Sequence, residues 1–275
     1  MNRLGVIGCG GIADVVLTTL AKELPTPLAQ VSVLVPPQFV AQAQALLDKV
    51  GGKAAQKRSV HSEVASLLAD KPDVVAECAS HVAVRDYGEA ILKVGCDLVV
   101  ISIGSLSDEG LYGRLVAAAK SSGARLVLPA GAIGGIDALA AARLSGLESV
   151  VYTGRKPPKA WKGTPAETLL ALDTLAKPTV FFEGSARKAA SDYPFNANVA
   201  ATLAIAGIGL DDTQVRLVAD PSISRNVHEF AVSSACGDFT MKLEGRPSPA
   251  NPKTSLMAGY SVARELINRA SPMVI

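Results

Sequence analysis

Charge, aromatic side chains, cysteine and histidine are all sparse in this 275-residue chain, and each shortage closes off a class of function. Charged residues make up 19% and the formal net charge is only +2, so the basic excess that nucleic-acid binding needs is missing and no nucleic-acid partner is expected. The four cysteines, Cys9, Cys78, Cys96 and Cys236, are scattered and form no Cys-x-x-Cys pair. With His61, His81 and His228 as the only histidines, no zinc-type spacing arises; no metal site is expected, and the thiols read as reduced. The longest apolar stretch, around Val199 to Leu210, is rich in Ala and Gly and shorter than the roughly 18 residues a spanning helix needs, so no membrane is expected. The opening run Met1-Asn2-Arg3-Leu4-Gly5-Val6-Ile7 enters a strand-like pattern at once and lacks the regions of a signal peptide, which points to a cytoplasmic protein.

Apolar residues, by contrast, are plentiful at 49%, enough for a well-packed core, and the chain is near the length at which single cores divide in two. Leu4-Gly5-Val6-Ile7, the glycine turn Gly8-Cys9-Gly10-Gly11 and the helical pattern Val15 to Leu24 open a βαβ unit. A second strand, Ala29 to Val35, is stopped by Pro36-Pro37, and a helix from Phe39 to Val50 runs up to the Gly51-Gly52 break. Val74 to Cys78 as strand, Val84 to Val94 as helix, Asp97 to Ile103 as strand, Leu111 to Ser121 as helix and Arg125 to Leu128 as strand continue the alternation. Continuous apolar strands such as Leu98-Val99-Val100-Ile101 imply burial on both faces, as in a parallel sheet covered by helices.

After Pro129 the rhythm changes. A helix from Ile136 to Leu144 precedes short strands at Val150–Thr153, Thr179–Gly184, Gln214–Ala219, Val227–Ser233 and Asp238–Leu243, spaced by turn residues as in an antiparallel sheet. The predicted class is α/β, a doubly wound parallel Rossmann sheet followed by an α+β domain with a mostly antiparallel sheet. The domains are placed at 1–132, 133–250 and 251–275, the last being a helix, from near Asn251 to about Arg269, that returns to the Rossmann domain.

Gly8-x-Gly10-x-x-Ala13 matches the dinucleotide fingerprint: a tight turn at Gly8, backbone open to pyrophosphate at Gly10, and close helix packing at Ala13. Gly11 and Ile12 supply further N–H groups at the helix amino terminus, where the dipole favours phosphate. An ordinary glycine turn is the alternative reading. The second strand ends Val33-Leu34-Val35-Pro36-Pro37, with neither an acidic residue for a ribose hydroxyl nor an Arg for a 2′-phosphate. The expected cofactor is NAD or NADP, with a lean to NAD.

Leu128-Pro129-Ala130-Gly131-Ala132-Ile133-Gly134-Gly135-Ile136-Asp137-Ala138-Leu139, Tyr152-Thr153-Gly154-Arg155-Lys156-Pro157-Pro158, Tyr193-Pro194-Phe195-Asn196-Ala197-Asn198-Val199-Ala200-Ala201-Thr202, Asn226-Val227-His228 and Asn251-Pro252-Lys253-Thr254-Ser255 together resemble the L-aspartate dehydrogenase family, in a likeness running from Gly5 to the last helix. The resemblance implies NAD- or NADP-linked oxidative deamination of L-aspartate to iminoaspartate, then oxaloacetate and ammonia, with a possible outlet into NAD biosynthesis, and a homodimer. It makes His228 the proposed catalytic residue and Ala132 and Asn198 dinucleotide contacts. Where this chain departs from the pattern, at the end of the second strand, the choice between NAD and NADP is left open.

The residues support these roles in different degrees. Amine oxidation needs a neutral nitrogen, and an imidazole with a pKa near 6.5 can take that proton; a half-buried, hydrogen-bonded strand histidine is the alternative for His228. Ala132 sits in a glycine-rich loop after a parallel strand, where such sheets bind ligands, and Asn198 suits either a helix cap or an amide contact. For the substrate's carboxylates, Lys253, Thr254 and Ser255 combine a cation, two hydroxyls and an expected helix amino terminus, while Arg155 and Lys156 read as a solvated turn. Cys78 and Cys96 read as small core residues, and Trp161 as a loop anchor or a dimer contact. Two rival functions remain: a related dehydrogenase acting on homoserine, a semialdehyde or another amino acid, and a silent dinucleotide-binding regulator.

Overall fold

A computed structural model describes residues 1–194, 197–248 and 251–274, and divides the chain into two compact units, Met1–Pro129 with Pro249–Ile275, and Ala130–Ser248. In the first unit β1 (Arg3–Ile7), α1 (Gly11–Glu23), β2 (Leu28–Leu34), α2 (Val40–Ala54), β3 (Ala55–His61), α3 (Val64–Ala69), β4 (Val74–Glu77), α4 (His81–Lys93), β5 (Asp97–Val100), α5 (Glu109–Ser122) and β6 (Leu126–Val127) alternate. All strand pairs are parallel and the order is β3-β2-β1-β4-β5-β6, the doubly wound arrangement. The central strands carry the core: Leu4, Val6, Val31, Val33, Val74, Ala76 and Val99 are buried on one face and Ile7, Val75, Leu98 and Val100 on the other, so burial on both faces explains their unbroken apolar runs.

Two details differ from expectation. The stretch after the Gly51 break, assigned nothing above, forms β3 and α3; Ala55-Gln56-Lys57-Arg58-Ser59-Val60-His61 is polar because it is an edge strand paired to β2 alone. Gly51 itself has φ 58°, which breaks helical geometry inside α2. The fifth strand stops at Val100, since Ile103–Ser107 turns into a 3₁₀ segment rather than extending the sheet.

The second unit contains α6 (Ile136–Ser145), β7 (Leu147–Lys156), α7 (Ala166–Leu169), β8 (Thr179–Ser185), α8 (Ala186–Asp192), α9 (Asn198–Ala206), β9 (Gln214–Ala219), β10 (Val227–Ser234), β11 (Phe239–Glu244) and β12 (Pro247–Ser248). Its five-stranded sheet is ordered β11-β10-β7-β9-β8, antiparallel except for the β7–β9 pair. Period-2 alternation divides each strand. Val150, Tyr152, His228, Phe230, Val232, Val215 and Leu217 face a core shared with Leu139, Ala189 and Leu203 from the helices, whereas Glu229, Arg216, Lys242 and Glu183 are exposed.

Trp161 is a correction: it is neither an exposed anchor nor a surface contact but a core residue of this unit, fully buried, its indole N–H donating to the Val218 carbonyl at 3.1 Å. A second correction concerns the last helix. Asn251–Ser255 is an extended strand, β13, and α10 runs from Leu256 to Asn268, packing on α1 so closely that a Cβ on Gly259 would lie 2.7 Å from Val15.

Candidate active site

The glycine turn of the first unit is built by backbone geometry. Gly8 has φ +98°, and a Cβ there would stand 3.0 Å from both the Ala79 Cβ and the Cys78 carbonyl oxygen. Its N–H donates to the Leu34 carbonyl at 2.9 Å, tying the turn to β2. Around Gly10 a Cβ would meet nothing within 4 Å, so the approach to the helix start is open. Gly10 is the residue before α1 and provides no side-chain cap, which leaves the first-turn amides at Gly11, Ile12 and Ala13 for an anion. Ala13 is fully buried and Ile12 packs on the first core, so the small third position serves close helix packing. These residues fit a dinucleotide's pyrophosphate.

One participant escaped sequence reasoning. Glu77, at the end of β4, is fully buried and accepts from the Ala79 N–H at 2.7 Å, the Ser102 N–H at 3.0 Å and the Ser102 hydroxyl at 3.0 Å. Burial nevertheless raises its pKa above the usual carboxylate value, against the pull of those donors. It ties the loops after β4 and β5 together at the carboxyl ends of the strands, and Ala79 is the residue that Gly8 abuts. Its only sequence signal was an acidic residue inside an apolar strand. Replacing Glu77 with Ala leaves the two buried Ser102 donors and the part-buried Ala79 N–H without their acceptor, which should cost about 3 kcal/mol or more in urea unfolding and raise the dinucleotide Kd; unchanged stability and affinity would show that the loops hold without it.

In the second unit His228 lies on β10 opposite Gly154 of β7, on the core face. It is only 7% exposed, more buried than the half-buried position considered from sequence. Its Nδ1 is 2.7 Å from the Tyr152 hydroxyl, which also stacks near the ring at 14° between planes. Burial, with the Lys156 charge adding to it, pushes the imidazole down to about 3. Burial likewise raises the Tyr152 pKa, so the phenol keeps its proton. With the phenol donating to Nδ1, Nε2 carries the ring hydrogen and donates; with Nδ1–H donating to the phenol oxygen, Nε2 presents a lone pair. Gly154 makes the pairing possible: a Cβ there would be 2.8 Å from the Tyr152 oxygen and 3.3 Å from Leu217.

Ala132 lies in the loop before α6, part-buried against the second core, in a segment with Gly131 and Gly135 at positive φ. A Cβ on Gly135 would be 3.3 Å from Phe230, which is two residues along from His228 on the same face. Asn198 is the first residue of α9, following Ala197 at the cap position, so it is not the helix cap; it is exposed. Asn196 and the side chains of Lys253 and Thr254 lie outside the described residues. Ser255 precedes α10, makes no side-chain cap bond, and its buried hydroxyl has no partner among the described residues. The helix-start argument for Lys253 and Thr254 therefore fails, because that segment is strand.

Arg155 and Lys156, expected together in a solvated turn, part company. Arg155 donates to the buried Asp220 carboxylate at 3.0 Å, and Lys156 folds along the core face with its ammonium 5.0 Å from the Trp161 ring centre. Among the described residues no group of three or more His, Cys, Asp or Glu is placed to hold a metal, and no helix is long and apolar enough to cross a membrane. Cys78 and Cys96 are buried beside β4 and β5.

Comparison with known proteins bears on both units. A family model described as aspartate dehydrogenase, C-terminal, matches residues 137–269, and one described as homoserine dehydrogenase, NAD binding domain, matches residues 8–129. Proteins named L-aspartate dehydrogenase from Pseudomonas aeruginosa and Ralstonia nicotianae are 47% and 46% identical to this chain, over 100% of both chains in each case. The crystal structure of aspartate dehydrogenase from Thermotoga maritima superposes with a TM-score of 0.75 at 27% identity, covering 100% of this chain and 99% of that one.

Proposed function

This chain belongs to the L-aspartate dehydrogenase family, and from that membership we propose that it catalyses NAD- or NADP-linked oxidative deamination of L-aspartate to iminoaspartate, which water converts to oxaloacetate and ammonia. The observation in the fold that carries the reading is a neutral, buried imidazole, His228, hydrogen-bonded to Tyr152 on the core face of the second sheet. Bound dinucleotide supplies the hydride acceptor. Gly8, Gly10, Gly11, Ile12 and Ala13 would hold its pyrophosphate, and Ala132 and Asn198 are the further residues we assign to dinucleotide contact. The residues after β2, Val35-Pro36-Pro37, offer neither an acidic group for a ribose hydroxyl nor an Arg for a 2′-phosphate, and for want of the latter we take NAD with tolerance of NADP.

Since Nδ1 faces Tyr152, Nε2 is the atom left for the reactants. With Nδ1–H donating to the phenol, His228 takes a proton from the substrate's ammonium through Nε2, freeing the nitrogen lone pair that pushes out the α-hydrogen as hydride. An imidazole this acidic does not store a proton. It passes the proton from Nε2 to solvent water, and the neutral ring is restored to take a proton from the water that adds to the imine carbon. Lys253, Thr254 and Ser255 remain candidates for a substrate carboxylate through their side chains. We place the enzyme in the cytoplasm as a homodimer, with its imine available to NAD biosynthesis.

The test is the initial rate of NAD and NADP reduction with L-aspartate beside D-aspartate, L-glutamate and L-homoserine at mildly alkaline pH. Turnover with L-aspartate alone is expected. Preference for L-homoserine would move the assignment to a related dehydrogenase, and dinucleotide binding without any turnover would favour a regulator.

A further inference from the structure

We propose that the segment after β2, from Pro36 to Val40, is an apolar ledge on which the dinucleotide's adenine lies against Phe39. Affinity then comes from the base that NAD and NADP share and not from the 2′ position at which they differ. The inference deepens the dinucleotide binding proposed above and rests on it. The 3₁₀ turn Pro37–Phe39 and the start of α2 stand beside the glycine turn: the Cys9 thiol is 4.0 Å from the Phe39 carbonyl oxygen, and the Gln42 side-chain amide donates to the Cys9 carbonyl at 3.2 Å. Gly10, the neighbour of Cys9, is open to a pyrophosphate. In doubly wound sheets the ribose next to that pyrophosphate is met at the end of the second strand, which here runs into this ledge.

The ledge is exposed and poor in hydrogen-bonding groups. Phe39 and Val40 are 45% and 38% exposed, and Pro36 and Pro37 beside them are exposed too, so the apolar groups form one patch and not scattered single residues. Backbone donors are scarce as well. The two prolines have no N–H; the Val35 N–H is spent on the His61 carbonyl at 3.0 Å, that of Phe39 on the Pro36 carbonyl at 2.9 Å, and that of Val40 on the Pro37 carbonyl. Gln38 remains, and its amide accepts from a hydroxyl as readily as it donates to a phosphate, so it does not choose between them. His61, in register with Leu34 at the end of β3, has its Nε2 engaged 2.6 Å from the Asp70 carboxylate. Residues 35–40 thus supply neither a carboxylate for a 2′-hydroxyl nor a guanidinium for a 2′-phosphate. An exposed aromatic ring, by contrast, gives a purine a stacking face that needs no charged partner.

The test is calorimetric titration of the full chain with NAD, NADP, AMP, adenosine 2′,5′-bisphosphate and nicotinamide mononucleotide, each variant first matched to wild type in thermal melting. Wild type should bind AMP and its 2′-phosphorylated form within about 10-fold of each other. Phe39→Ala should weaken AMP, NAD and NADP by one common factor of about 5- to 100-fold, the worth of an aromatic–base stack, and leave nicotinamide mononucleotide unchanged. Pro36→Asp should create the missing choice, keeping NAD and weakening NADP at least about 10-fold through the carboxylate set beside the ribose. A folded Phe39→Ala chain with wild-type affinity for AMP and NAD overturns the ledge. So does a Pro36→Asp chain whose affinities for NAD and NADP move together, because the ribose would then lie elsewhere. Failure of wild type to bind either dinucleotide would sink the cofactor reading itself, and this inference with it.

Discussion

Exchanging His228 for asparagine should lower kcat by about 10²- to 10⁴-fold, the usual contribution of a positioned proton acceptor, with the dinucleotide Kd unchanged. His228 faces the core side of β10 and its Nδ1 is occupied by Tyr152, so removing the ring deletes Nε2 as the acceptor without touching the glycine turn of the first unit. The pH profile adds a second readout. An ordinary imidazole would give kcat/KM an acid limb near pH 6.5; with the folded value down at about 3, wild type should show no such limb from this residue. A limb near 6.5 that disappears in the variant would show that burial does not hold the ring neutral.

The same depression has a sign in stability. The folded pKa lies below the unfolded value, so between about pH 6.5 and about pH 3 the unfolded chain binds a proton that the folded chain refuses. Stability is therefore complete above pH 6.5 and is lost as the pH falls through that window. His228→Asn should flatten this part of the urea-midpoint profile; an unaltered profile would place the ring in a more solvated setting than the geometry indicates.

The second large effect comes from two glycines two residues apart that fail for different reasons. Gly8→Ala puts a Cβ at φ +98°, against backbone and the Ala79 Cβ at 3.0 Å, neither of which can move without shifting the loop after β4. It should lower the melting temperature and weaken dinucleotide binding together, the strain alone costing about 1–2 kcal/mol. Gly10→Ala has φ −82° and ψ −166°, ordinary for alanine, and meets nothing within 4 Å. That protein should melt like wild type yet bind dinucleotide at least about 10-fold more weakly, because the new methyl occupies the pyrophosphate's approach. Equal affinity in a folded Gly10→Ala chain would mean that the phosphates do not cross this turn.

Much of the first unit was legible because its signals are local. Gly8 and Gly10 mark a turn wherever the chain is placed, and apolar runs such as Leu98 to Val100 report burial on both faces. The edge strand β3 was missed for the complementary reason, since a polar strand pairing on one side carries little period-2 contrast. In the second unit, alternation in Val150-Val151-Tyr152-Thr153-Gly154-Arg155-Lys156 separates the two faces but does not say what covers either one.

What the sequence determined by itself is therefore the alternation of strands and helices, the dinucleotide turn and the likeness that singles out His228. Tertiary structure decided the chemistry around that histidine. Tyr152 is 76 residues away and reaches Nδ1 only because β7 and β10 pair with Gly154 opposite the ring. Arg155 and Lys156, adjacent and alike in composition, receive opposite environments, one on Asp220 and the other on Trp161, because neighbouring strand residues point to opposite faces. Hydrogen bonds and desolvation depend on which groups are brought together across the sheet, and a linear pattern records spacing along one chain, not the partner that packing puts across from it.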